Sequence, residues 1–148
     1  MNDLDSVISD YERQMQAQAK INEGNKHAVF DALAAANVTE VIADFDGEGD
    51  QGQIDSVIAL SGDDRAELPT TTVTIRQSSW HDTEAVATEI NIEEALETLC
   101  YGYLEETHGG WENNEGGYGE FRFDVAKRTI KLEFNGRVID TYTDNHTF

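Results

Sequence analysis

The chain has 148 residues, 39% of them apolar, and 30 acidic residues against 10 basic give it a net charge of −20. That length suits one domain with a buried core, and that charge disfavours nucleic acid and anionic membranes while favouring basic surfaces. Cys100, the only cysteine, excludes an internal disulfide; with neither a signal-peptide pattern nor an apolar membrane span, we expect a soluble cytoplasmic protein.

Leu4, Val7, Ile8, Tyr11, Met15 and Ile21 recur at helical spacing, predicting an amphipathic helix over residues 3–21 that "NEGN" breaks. Asn25 then caps a second helix carrying Val29, Phe30 and Leu33, which ends at Asn37. From Thr39 the period changes to two: Val41, Ala43 and Phe45 alternate with Glu40 and Asp44. "IDSVIAL" (54–60) reads as a second, central strand, joined to the first by a glycine-rich hairpin. A loop through Pro69 leads to a third strand, "TTTVTIRQ", with Val73 and Ile75 inward.

"NIEE" at Asn91–Glu94 is a capping-box pattern. The helix it starts presents Ile92, Ala95, Leu96, Leu99, Tyr103 and Leu104 to a core and ends near His108. "EFRFDV", "RTIKLEF" and "RVIDTYT" form a meander, with Asn135-Gly136 as a type I′ hairpin signal. The expected class is α+β: one domain over 1–148, with 1–36 a helical extension and 38–145 the core. Its mostly antiparallel sheet, a hairpin plus the three-stranded meander, packs against two or three helices.

The charge is clustered. Residues 37–70 hold nine acids and one base, residues 92–120 hold eight acids and no base, and residues 121–148 are nearly balanced. In "DFDGEGDQGQID", Asp44, Asp46 and Glu48 fall at the first ligand positions of a calcium loop, Gly49 at its turn and Asp55 at its last place. Against an EF-hand stand Gln51 at the aliphatic anchor, Asp instead of Glu at the end, and flanks that read as strands. A solvated acidic hairpin explains the same residues.

Near the predicted helix end, Glu105 and His108 stand three apart, the spacing of carboxylate-bridged metal sites, and Glu112 follows. A histidine in a last helical turn also interacts favourably with the helix dipole. Trp111, ringed by Glu105, Glu106, Glu112 and Glu115, is either a core plug or an interface anchor. Ser78, Ser79, His81 and Asp82 are adjacent in sequence, which is not triad geometry. No phosphate-cradling loop, zinc spacing or basic aromatic stripe is present.

The run "LEETHGGWENNEGGYGEFRFDVAKRTIKLEFNGR", with "FDGEGDQGQID", resembles an uncharacterised family of small bacterial proteins associated with plasmids and mobile elements, over residues 38–145. The resemblance implies an accessory or counter-defence setting and transfers no catalytic residue. The leading expectation is a non-enzymatic acidic protein that binds a basic protein surface, as a nucleic-acid mimic, inhibitor or immunity-type accessory protein. Its contact residues would be Asp44, Asp46, Glu48, Asp50, Glu105, Glu106, Trp111, Glu112 and Glu115. No cofactor is expected in that reading. Its alternatives are a calcium module at Asp44, Asp46, Glu48 and Asp55, and a metal-dependent enzyme at Glu105, His108 and Glu112.

Overall fold

The alternation of Val41, Ala43 and Phe45 with polar neighbours gives a strand with one apolar face, and it builds the centre of the fold. In the computed structural model, which describes residues 3–48, 51–77, 86–108, 116–137 and 142–148, β1 (Glu40–Glu48) pairs with β2 (Gln51–Ser61) and β6 (Gly117–Asp124). With β3 (Asp64–Ala66), β7 (Thr129–Gly136) and β8 (Tyr142–Thr147) they form one antiparallel sheet of order β3-β2-β1-β6-β7-β8. β4 (Thr72–Gln77) and β5 (Val86–Asn91) form a separate antiparallel pair, and the helices are α1 (Asp3–Ala35) and α2 (Ile92–His108). The class is α+β, as expected.

One sheet face is the core face. Val41, Ala43, Phe45, Phe121, Phe123, Ile130, Leu132 and Phe134 are all buried there. Val29, Phe30 and Leu33 of α1 cover it, with Phe30 edge-on to Phe123 at 6.2 Å. The apolar stripe of α2 is buried as its spacing predicts: Ile92, Ala95, Leu96, Leu99, Tyr103 and Leu104, with Cys100 among them. Each such large side chain contributes about 1.5–3 kcal/mol of apolar transfer. The Asn91 side chain accepts from the Glu94 amide at 2.8 Å, fixing the predicted start of α2. Asn37 adopts φ 60°, and Val38 donates to the Leu33 carbonyl at 3.0 Å, so the left-handed stop of α1 also forms.

Four expectations need correction. "NEGN" breaks nothing: α1 is continuous for 33 residues, and Asn25, instead of capping a second helix, grips a strand. Its carboxamide donates to the Arg76 carbonyl (2.9 Å) and accepts from the Arg76 amide (2.8 Å), pairing the edge of β4 that β5 leaves open. Asn135-Gly136 is not a turn but the end of β7, because Gly136 lies opposite Gly117 and buried Asn135 hydrogen-bonds to Thr143 and Tyr118. Of the expected third meander strand, β8 covers Tyr142–Thr147, and residues 138–141 lie outside the described residues. β2 is not fully central, since beyond it only three residues of β3 pair, within the predicted loop. The side chains of Leu4, Val7, Ile8, Tyr11 and Met15 lie outside the described residues.

Two glycines are required by close approach. A Cβ on Gly119 would stand 1.9 Å from the Glu133 carbonyl oxygen, and one on Gly117 2.5 Å from the Phe134 ring. Gly119 lets β6 close against the β7 backbone, and Gly117 leaves room for the Phe134 ring.

Candidate functional site

Strand parity places Asp44 and Asp46 together on the outer sheet face. Neither is left to repel the other. Ser56 donates to Asp44 (3.0 Å), and Arg137 forms a two-pronged pair with Asp46, Nη1 to Oδ1 at 2.9 Å and Nη2 to Oδ2 at 3.0 Å. The same guanidinium donates to the Gly47 carbonyl (3.0 Å) and lies 4.9 Å from the centre of the Tyr118 ring. Asp55 is the extra residue of a bulge opposite Asp44/Phe45 and accepts from Gln53 at 3.0 Å. Beside that bulge, the Ile54 amide donates to the Tyr101 hydroxyl (3.0 Å), tying β2 to α2.

Among the described residues, Asp44, Asp46 and Asp55 do not gather into a set that could share one ion. The side chain of Glu48, and all of Asp50, lie outside the described residues. The rest of the outer face is mixed in sign: Arg122 bridges Glu120 (2.8 Å) and Glu40 (3.3 Å), beside a hollow of 160 Å³ lined also by Lys131 and Glu133.

The second acidic block behaves differently. α2 carries Glu93, Glu94, Glu97, Glu105 and Glu106 and no lysine or arginine. Among the described residues none of the five is in an ion pair; Glu106 accepts only a long bond from Asn22 (3.5 Å). The Glu97 carboxyl is held above the ordinary range, first by burial and then by Glu93 and Glu94. α2 lies over the core face, so Glu105 and Glu106 are on the opposite layer from Asp44 and Asp46. These residues of the two acidic blocks therefore do not share one face, the condition on which the two blocks would act as a single acidic surface. Trp111, Glu112 and Glu115, like Ser78 to Asp82, lie outside the described residues.

His108, at the end of α2, meets the tail rather than Glu105. Its ring lies flat on Phe134, with centroids 3.9 Å apart and planes within 7°. Its Nε2 is 3.1 Å from His146 Nε2 and 3.7 Å from an Asp144 carboxylate oxygen. The β7–β8 register sets this up: Asp144 pairs with Phe134 and His146 with Leu132, so both tail residues share the core face at the sheet edge. His146 lies parallel to Phe148 at 6.1 Å, and Phe148 stacks on Tyr103 at 4.4 Å. Burial first, then His146, lowers the His108 pKa from its ordinary value, against the opposing pull of Asp144.

Sequence reasoning picked out His108 but gave it Glu105 and Glu112 as companions. The signal for its actual companions was Asp144-x-His146, a spacing that puts two side chains on one face of a strand. No helix among the described residues is long and apolar enough to cross a membrane. No curated protein and no solved structure matches the chain. Residues 21–148 match the model of DUF6878, a family of unknown function, and the match takes in the part of α1 that packs on the sheet. The chain belongs to that family.

Proposed function

We propose that the protein is a non-enzymatic binding protein whose partner is a basic protein surface, contacted through the exposed glutamates of α2. One observation carries this reading: α2 holds five carboxylates and no cation, whereas Asp46, Glu40 and Glu120 on the outer sheet face already have arginine partners. A partner rich in lysine and arginine supplies the missing counter-charge. Such a field raises association rates and disfavours acidic competitors. A nucleic-acid mimic needs both acidic blocks on one face, so the reading is confined to α2. An inhibitor or accessory protein of a mobile element would use a surface of this kind.

The test is capture from host lysate at about 50 mM and about 500 mM salt, where the screening length falls from roughly 14 Å to roughly 4 Å. The wild type is compared with a helix variant (Glu93→Gln, Glu94→Gln, Glu97→Gln, Glu105→Gln) and a sheet variant (Asp44→Asn, Asp46→Asn). The reading expects a basic protein that is held at low salt by the wild type and the sheet variant, released at high salt, and lost with the helix variant. Capture that ignores salt and the helix variant overturns it.

A further inference from the structure

We propose that His108, Asp144 and His146 form a binding site for a first-row divalent transition-metal ion, of which zinc is the simplest. The three donor atoms come from two elements, the last residue of α2 and the edge strand β8, and lie within 4.8 Å of one another. Two imidazole nitrogens bound to one tetrahedral ion at 2.0–2.1 Å stand about 3.3 Å apart. The observed Nε2···Nε2 separation is 3.1 Å. The Asp144 oxygen, 3.7 Å from His108 Nε2, needs to move by at most about 1.5 Å to complete the triangle at tetrahedral spacing.

The rings are already oriented. His108 is pressed on Phe134, and His146 lies along the Phe148–Tyr103 stack, so little side-chain freedom remains to be lost on binding. The carbonyl end of α2 adds partial negative charge beside His108, which favours a cation. The donor set selects the ion. Two nitrogens and one carboxylate suit zinc and its neighbours; calcium and magnesium take oxygen ligands, and no thiolate is present to favour copper(I). Three protein ligands leave a fourth position for water or an outside donor. It has an approach from solvent: the Asp144 side chain is 48% exposed, against 13% for His108. A bound ion would pin β8 to α2.

The competing account is a plain His–His hydrogen bond that binds no metal. The test uses the full chain, stripped with a chelator and titrated with Co²⁺, then with Zn²⁺ in competition, with Ca²⁺ as a control for loose binding to surface carboxylates. The proposal expects one Co²⁺ per chain with the visible spectrum of a four-coordinate ion, displaced by Zn²⁺, and a melting temperature that rises with Zn²⁺ and not with Ca²⁺. Asp144→Asn and His146→Gln, both on the edge strand, should each weaken binding by about a hundredfold or more. His27→Gln, at the exposed Glu23–His27 pair, should leave it unchanged. Circular dichroism checks that each variant is folded. Absence of the four-coordinate spectrum, or binding that survives both edge-strand substitutions, overturns the proposal.

Discussion

Asn25→Ala removes both hydrogen bonds by which α1 holds the open edge of β4. Each is worth about 1 kcal/mol net, and the Arg76 amide and carbonyl are left to whatever water reaches them, so the loss is about 2–3 kcal/mol. Alanine's better helix propensity returns about 0.5 kcal/mol, leaving about 2 kcal/mol. For a chain of this length the unfolding entropy is about 0.3 kcal/mol per kelvin, so the melting temperature should fall by about 6 °C. Gly24→Ala, one residue away, should act in the opposite direction. A Cβ there meets nothing within 4 Å, and an alanine inside a continuous helix stabilises by about 1 kcal/mol, or about 3 °C. Thermal and urea denaturation followed by far-ultraviolet dichroism read both variants. If "NEGN" were a turn with Asn25 as the cap of a second helix, Asn25→Ala would still cost about 1 kcal/mol, so Gly24→Ala is the deciding variant: destabilisation there refutes the reasoning.

Gly119→Ala should cost at least about 3 kcal/mol, because the Cβ would collide with the Glu133 backbone and the Phe45 ring, and should show as a depressed urea midpoint. Native Cys100 should resist a water-soluble thiol reagent and react only as the chain unfolds, since burial first and Glu97 second push its pKa well up; prompt native labelling contradicts this. In the metal-free protein, His108 should titrate below its ordinary value of 6.5 by NMR. The unfolded chain then binds the proton more readily, so this histidine's contribution to stability is full above about pH 6.5 and declines as pH falls from there to the lowered folded pKa. A midpoint at 6.5 would abolish that contribution, and one above it would reverse the sign.

What was legible in the sequence was local. The alternation at Val41, Ala43 and Phe45, the cap at Asn91 and the stop at Asn37 each need only a few neighbouring residues to act, and each formed. The failures had distant causes. Helix propensity at residues 22–25 is poor, but Asn25 gains Arg76, 51 positions away, and Asn22 gains Glu106, 84 positions away. Asn135-Gly136 has turn chemistry, yet a second glycine across the sheet at Gly117 and the Thr143 hydroxyl make it strand. β5 is missing from the reading because its side chains from Val86 to Glu89 are exposed and show no alternation. The His108 group failed for a related reason: Asp144 and His146 share a face by spacing, but only the β7–β8 register brings that face against Phe134 and the end of α2.

The central claim is that the α2 glutamates draw in a basic partner. The most direct measurement is the association rate of that partner, isolated by capture, with wild type and with the Glu93, Glu94, Glu97, Glu105→Gln variant across a salt series. Exposed charges act on encounter, so the account predicts slower association for the variant, a shallower salt dependence and a dissociation rate that changes little. Association equally fast for both proteins at low salt would contradict it.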